Sequence, residues 1–275
     1  MVTVPPEPTA RPTRAGPHRA RQVAEGFGSD AERYDRTRPR YPKVLTDRIV
    51  AASPGPRLLD VGIGTGVSAL GFQAAKCSVL GVEPDERMAT FARQRGFEVE
   101  VAAFEEWDPA GRSFDTVIAG QAWHWVDPHA GATKAAGLLH PDGNLAVFWN
   151  VFQPPPDLAE AFTAVYRQVL PDSPAFSMAM PRLETYSNLF ERAEGGIRDC
   201  GGFAEPERWQ VDWERPYTKA EWLDQVPTFG GHSQFPHDRL ERLLAGLGVT
   251  IDATGGSFTM RYAAVAVTAA RTRAA

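Results

Sequence analysis

"LLDVGIGTGVSALG", Leu58 to Gly71, joins two unlike halves. Leu58, Leu59 and Val61 form an apolar run of strand length, and the residues after Gly66 suit a helix. Between them Gly62, Gly64 and Gly66 occupy alternate positions. A glycine-rich turn from strand to helix lets a ligand meet bare backbone N–H groups at the positive end of the helix. A dinucleotide fingerprint would read G-x-G-x-x-G. Here Val67 stands at the third glycine of that spacing, and Gly66 comes one residue early. Asp60, two residues before Gly62, suits a cationic ligand better than a pyrophosphate.

Working outward, "RLLDVG", "CSVLGVE", "FEVEVAA", "FDTVIAG" and "NLAVFWN" are short apolar runs between Pro42 and Asn150. Helix-like stretches such as Pro84 to Arg95 and Pro128 to Leu139 separate them. That alternation predicts βαβ units and a parallel sheet with helices on both faces. Val151 to Ala275 is less regular. It holds a helical segment after Pro156, a strand near Arg208 to Arg215, helices near Lys219 to Val226 and His237 to Thr254, and a final strand from Ser257 to Thr268.

At the other end, Met1 to Gln22 is rich in Pro and Arg with few large apolar residues, the composition of a disordered tail. Val23 to Pro42 mixes aromatics and arginines, with a short helix over Asp30 to Arg36. Ser29 and Glu32 have the spacing of a capping box at its start. There are no internal repeats.

Composition bounds what the chain can do. With 275 residues, 43% hydrophobic and 10% aromatic, it can bury a proper core. A net charge of -5 argues against a protein built to coat nucleic acid or anionic membrane. Cys77 and Cys200 alone make neither a disulfide framework nor a cysteine zinc site, so a reducing, cytoplasmic setting is expected. No apolar run approaches the roughly 18 residues of a membrane span. No ligand-like cluster asks for a metal. Glu83 ends the second strand about 20 residues beyond the glycines, where an acid can accept both ribose hydroxyls. A nucleoside with a positive charge near the glycines is the physical inference.

These motifs in their order, "LLDVGIGTG", "GVEPDERMATFAR", "FDTVIAGQAWHWVD" and "LLHPDGNLAVFWN", resemble those of class I S-adenosylmethionine-dependent methyltransferases. Within them the chain is similar to the small-molecule group that includes trans-aconitate methyltransferase-like proteins. The resemblance implies a Rossmann-like α/β fold: a seven-stranded, mostly parallel sheet with the last strand antiparallel, helices on both faces and a helical cap. It implies a tail over 1–22, a lid segment over 23–42, and a methyltransferase domain over 43–275 with cap insertions at about 151–200 and 217–256.

It also implies S-adenosyl-L-methionine as cofactor. Asp60, Gly62, Gly64 and Gly66 would hold the methionine portion, and Glu83 the ribose. Pro84 and Met88 follow, with Met88 packing on adenine. Phe104 and Glu105 lie in the segment whose backbone meets the adenine edge, and Ala103 stands where many relatives carry an aspartate. Gly120 and Gln121 line the cofactor near its sulfonium.

The partner expected is a small-molecule methyl acceptor, methylated on oxygen or carbon, with neither nucleic acid nor membrane involved. An RNA or protein methyltransferase would share the donor motifs, but "QAWHW" is not an Asn-Pro-Pro-Tyr-type motif. A non-catalytic nucleoside-binding protein of the same fold is the other reading. His124, after the fourth strand, is the candidate general base, or else a residue that orients the acceptor. Glu184 is its rival. Phe27, Tyr34 and Tyr41 on the lid, Trp123 and Trp125 beside His124, and Trp149 and Asn150 at the end of the fifth strand are the candidate acceptor contacts. Phe176, Met178, Met180 and Tyr186 suggest an apolar cap.

Overall fold

The apolar runs become the sheet and the stretches between them its helices. The computed structural model describes residues 26–171 and 183–272, with side chains from 186 onward in the second span. The tail over 1–22, Phe176, Met178, Met180 and the side chain of Glu184 fall outside those residues.

In chain order come a 3-10 turn at Gly26–Asp30, α1 (Ala31–Thr37), α2 (Lys43–Ala52), β1 (Arg57–Val61), α3 (Leu70–Ala74), β2 (Ser78–Glu83), α4 (Glu86–Gln94) and β3 (Glu98–Val101). Then follow β4 (Phe114–Gly120), a 3-10 turn at Trp123–Trp125, α5 (Pro128–Leu138), β5 (Leu139–Gln153) and α6 (Pro156–Val169). The chain closes with α7 (Leu183–Cys200), β6 (Glu207–Thr218), α8 (Lys219–Gln225), α9 (His237–Ala253) and β7 (Ser257–Ala270).

The seven strands lie in the order β3-β2-β1-β4-β5-β7-β6. β1 to β5 are parallel, and β7 runs antiparallel to both β5 and β6. This is the Rossmann-like arrangement expected. Both faces of β5 are buried, as a strand covered on two sides requires. Leu145, Val147, Trp149 and Val151 point to one face with α5 and α7, while Ala146 and Phe148 point to the other with Leu45, Ile49 and Phe72. An alanine of β7 makes room for a large ring here: Ala266 lies opposite Phe148.

Two local readings change. The helix at the N-terminal end is capped by Asp30, whose carboxylate accepts from the N–H of Arg33. Ser29 instead donates to the Gly26 carbonyl at 2.9 Å, because it lies inside the preceding 3-10 turn, one residue before the cap position. The stretch over 151–200 also divides. α6 joins α8, α9 and the ends of β6 and β7 in a second core built on Phe162, Tyr217, Trp222, Leu247 and Phe258, at the carboxyl edge of the sheet. α7 instead packs beneath the sheet through Tyr186, Phe190, Ala193 and Ile197, spaced as one helical face. Its Gly196 admits close approach, since a Cβ there would lie 2.3 Å from the carbonyl oxygen of Pro128 on α5.

Candidate active site

The strand ends that define the carboxyl edge bring Gly62–Gly66, Glu83–Asp85 and Gly120–Gln121 together, as open parallel sheets do with ligand sites. All three glycines of the turn have positive φ: 69° at Gly62, 57° at Gly64 and 89° at Gly66. Their reasons differ. A Cβ at Gly62 would meet the Ala122 Cβ at 2.6 Å, and one at Gly66 would meet the Phe97 ring at 2.6 Å. One at Gly64 meets nothing nearer than the Met88 methyl at 3.7 Å. Two of these glycines therefore let protein pack on protein, and Gly64 alone leaves space beside the turn.

Two acids flank that space. Asp60 is fully buried, its Oδ2 accepting from the Ser68 hydroxyl at 2.9 Å while Oδ1 has no partner. Glu83 accepts from the backbone N–H of Gly64 at 2.9 Å and of Asp85 at 3.0 Å. Loss of hydration raises Asp60 to about 8; the Ser68 bond opposes this and the charge of Glu83 adds to it. Desolvation likewise raises Glu83 to about 7 against the pull of its two backbone donors. Neither acid forms an ion pair within the described residues. The Thr65 hydroxyl in the same turn and the Gln121 Oε1 are also buried without partners.

Other predicted donor-site residues take structural places. Met88 is buried on the Gly64 side. Pro84 is exposed. Phe104 packs on Trp123, ring centroids 6.2 Å apart, and Glu105 accepts from the N–H of Asp127 at 3.2 Å. Gly120 lets β4 close on Ser68, where a Cβ would sit 2.5 Å away. Gln121 holds φ at +54°, a conformation that a non-glycine residue adopts at some cost. Its side chain hydrogen-bonds the Tyr186 phenol.

The lid closes over this edge. Gly28 sits directly against the Asp85 carboxylate. Arg33 and Arg36 bind Asp224 of α8 at 3.1 and 2.8 Å, and buried Asp35 holds Arg40 and Arg95. Arg38 donates to the Thr228 carbonyl and lies over the rings of Tyr34 (4.7 Å) and Phe229 (5.2 Å). Tyr41 stands edge-on to Phe148 at 4.6 Å, with Tyr34, Tyr186, Asp60 and Arg38 near enough to act on its phenol electrostatically. Tyr34, Arg38 and Tyr41 of the lid thus gather with Tyr186 near Asp60 at this edge.

The remaining candidates separate. Trp123 is buried in the main core, whereas half-buried Trp125 meets Phe27 at 6.5 Å. Trp149 is fully buried, and its indole N–H donates to His124 Nδ1 at 3.2 Å. Asn150 accepts from the Trp213 indole at 3.2 Å and donates to the Arg40 carbonyl, so both ends of its amide are used within the protein. Desolvation, with a contribution from the Arg192 charge, pushes His124 down to about 4. Its ring is expected to stay neutral at pH 6–8 and to titrate near pH 4 by NMR. The unfolded chain takes up that proton near 6.5, so stability from this residue falls as pH drops from there towards 4. An imidazole titrating near 6.5 in the folded protein would contradict the assignment.

Thr65 and Ser68 were not picked from the sequence, although they lie inside the glycine motif and could have been marked there. Arg38, read from the sequence as a holder of an acidic substrate or a surface residue, and Tyr186, read as part of an apolar cap, reach this edge through tertiary packing. Among the described residues no group of three or more His, Cys, Asp and Glu is placed to hold a metal, and no helix is long and apolar enough to cross a membrane.

Residues 59–147 match the family described as a methyltransferase domain. An uncharacterised methyltransferase of Mycobacterium tuberculosis is 35% identical over 133 residues, 47% of this chain and 54% of the relative. A demethylmenaquinone methyltransferase of Mycobacterium sp. (strain KMS) is 29% identical over 170 residues, 59% of this chain and 70% of the relative. The chain thus spans about half the length of the first curated relatives it matches. Among solved structures, a chain from Anaeromyxobacter dehalogenans assigned to the type II methyltransferases superposes with TM-score 0.62 at 22% identity, covering 86% of this chain and 99% of that one. The [4+2]-cyclase SpnF superposes at 0.53 with 15% identity, covering 94% and 98%. Two buried acids without a cation, unpartnered polar atoms beside a glycine turn, and open space at Gly64 fit S-adenosylmethionine, whose ammonium and ribose need such partners. Residues 59–147 thus match a methyltransferase domain, set in a seven-stranded sheet of Rossmann-like order.

Proposed function

We propose that this protein transfers a methyl group from S-adenosylmethionine to the oxygen or carbon of a small molecule held in the chamber between lid and sheet. The observation that carries the reading is the nearness of the lid to the strand ends. Tyr34, Arg38 and Tyr41 of the lid are drawn over the same strand ends that carry Asp60 and Gln121. An acceptor closed in this way is small, and a closed site also excludes water from a reaction that loses positive charge. The name of the demethylmenaquinone relative, which acts on a small acceptor, agrees with this.

The cofactor supplies an activated methyl group; the residues supply alignment and desolvation. Asp60 and Ser68 would hold the ammonium end, Glu83 the ribose diol, and Met88 one face of the adenine. Gln121, fixed by its backbone conformation and by Tyr186, borders the acceptor side. His124 and Trp125 close the chamber against Phe27.

Incubation of the protein with methyl-labelled cofactor and a library of small acids, phenols and quinols tests the reading. The label is expected in the small-molecule fraction. Label appearing only in RNA or protein would overturn it.

A further inference from the structure

The two edges of the sheet are unlike. β3 is 4 residues long, the short form that limits pairing with another chain. β6, at the other end of the strand order, runs for 12 residues and pairs with β7 from Glu207 to Thr218 without a register shift. It carries no bulge and no lysine, two common guards of an exposed edge. Among the described residues it borders no further strand, so every second residue turns both its N–H and its C=O away from β7.

This edge has a centre. Pro206 and Pro216, which have no N–H to give to a ladder, bracket "ERWQVDWER", with Val211 in the middle. Laid antiparallel on a second copy about Val211, the strand sets Glu207 against Arg215 and Arg208 against Glu214. Trp209 then meets Trp213, and Gln210 meets Asp212. Opposite charges and aromatic pairs directly across a ladder stabilise it. The register is specific. A slip of one residue sets Glu207 against Glu214 in one direction and Arg208 against Arg215 in the other, and it also turns the buried face outward.

The charged positions are available. Arg208, Gln210, Asp212 and Glu214 share one face of β6 and all are exposed, while Trp209, Val211 and Trp213 pack inward against the cluster around Leu45 and Phe148. Arg208 binds Glu194 at 2.6 Å and Glu214 binds Arg261 at 3.1 Å. A guanidinium and a carboxylate each have room for a second partner.

We infer that β6 is an interface with a second copy of this chain, the two strands pairing antiparallel about a two-fold axis through Val211. Two seven-stranded sheets become one. With β6 consumed and β3 short, assembly stops at two copies. The inference stands apart from the methyltransferase reading, since β6 carries no donor-site residue.

Sedimentation velocity of the full chain, from nanomolar to tens of micromolar, tests this. The wild type is expected to show a monomer–dimer equilibrium. Arg208→Glu sets like charges across the ladder twice and should weaken association by about tenfold or more. Adding Glu214→Arg should recover most of that loss, although it does not mend the contact with Glu194. Val211→Cys should give a disulfide-linked dimer on mild oxidation, because residues on the axis bring their Cα atoms within the roughly 6 Å a disulfide spans. Glu207→Cys, far from its own copy, should link no more than the wild type. A monomer at every concentration, a dimer indifferent to Arg208→Glu or unrecovered by Glu214→Arg, or equal cross-linking at positions 211 and 207 would overturn the inference. Should Arg208→Glu fail to fold, wild-type association and the two cysteine variants decide alone.

Discussion

Asp60→Asn is expected to stabilise the empty protein while removing most of its affinity for the donor. Burial holds Asp60 at about 8 in the fold, against about 3.9 in an unfolded chain. Between those values the unfolded state releases a proton that the folded state keeps, so the residue lowers stability as pH rises from about 4 to about 8. Asparagine carries no such penalty, and the melting temperature of the variant should exceed the wild type by more at pH 8 than at pH 5.

Binding runs the other way. The cationic end of the donor needs the carboxylate, so losing this charged hydrogen bond should cost roughly 1.5–3 kcal/mol, about 10- to 150-fold in Kd. Because donor binding expels the Asp60 proton, wild-type affinity should climb with pH and level off near 8. In the variant only a shallower rise ending near 7 should remain, from Glu83. Calorimetry in buffers of different ionisation enthalpy counts the proton directly. A wild-type affinity flat from pH 6 to 8 would show that Asp60 is already ionised and sink the argument.

Gly64→Ala should separate folding from binding. A methyl at Gly64 meets only the Met88 methyl at 3.7 Å, so its cost to the fold is the positive φ, about 1–2 kcal/mol. The same methyl enters the space beside the turn, and donor affinity should fall by tenfold or more, over about 1.4 kcal/mol. Gly62→Ala gives the contrast. There the added carbon collides with Ala122, so the main loss should appear in thermal stability. If both variants lose stability and affinity in the same proportion, the two glycines share one structural role and the open space is not the donor's.

The legible part of this site was the local part. Asp60, the glycines and Glu83 could be read because a strand, a turn and a helix leave a fixed pattern within about 25 residues, and chemistry at strand ends follows from topology. What the glycines do individually was not legible. Ala122 lies 60 positions beyond Gly62, and the contact between them exists only in the folded sheet. α7 was hidden for a related reason. Gly195 and Gly196 lower helix propensity locally, yet Gly196 admits the close approach of α5. The bond from the Trp149 indole to His124 forms only where the ends of β4 and β5 lie side by side, which no spacing in "GQAWHWVD" encodes.

The strands differ greatly in length, and that decides which part of the molecule can yield. β4 stops at Gly120 beside Phe148, but β5 runs on to Gln153 beside Arg261, and β7 stays paired with β6 down to Ser257. A three-stranded ribbon therefore overhangs the sheet like a cantilever and carries the second core on backbone hydrogen bonds that have no cheap alternative partner. The strap of residues 26–41 is fastened differently, through ion pairs such as Arg36 to Asp224 that stand one-third to one-half exposed. Exposed pairs of this kind contribute little, because solvent screens them. The strap is thus the part expected to yield first, and the overhang the part expected to stay in place.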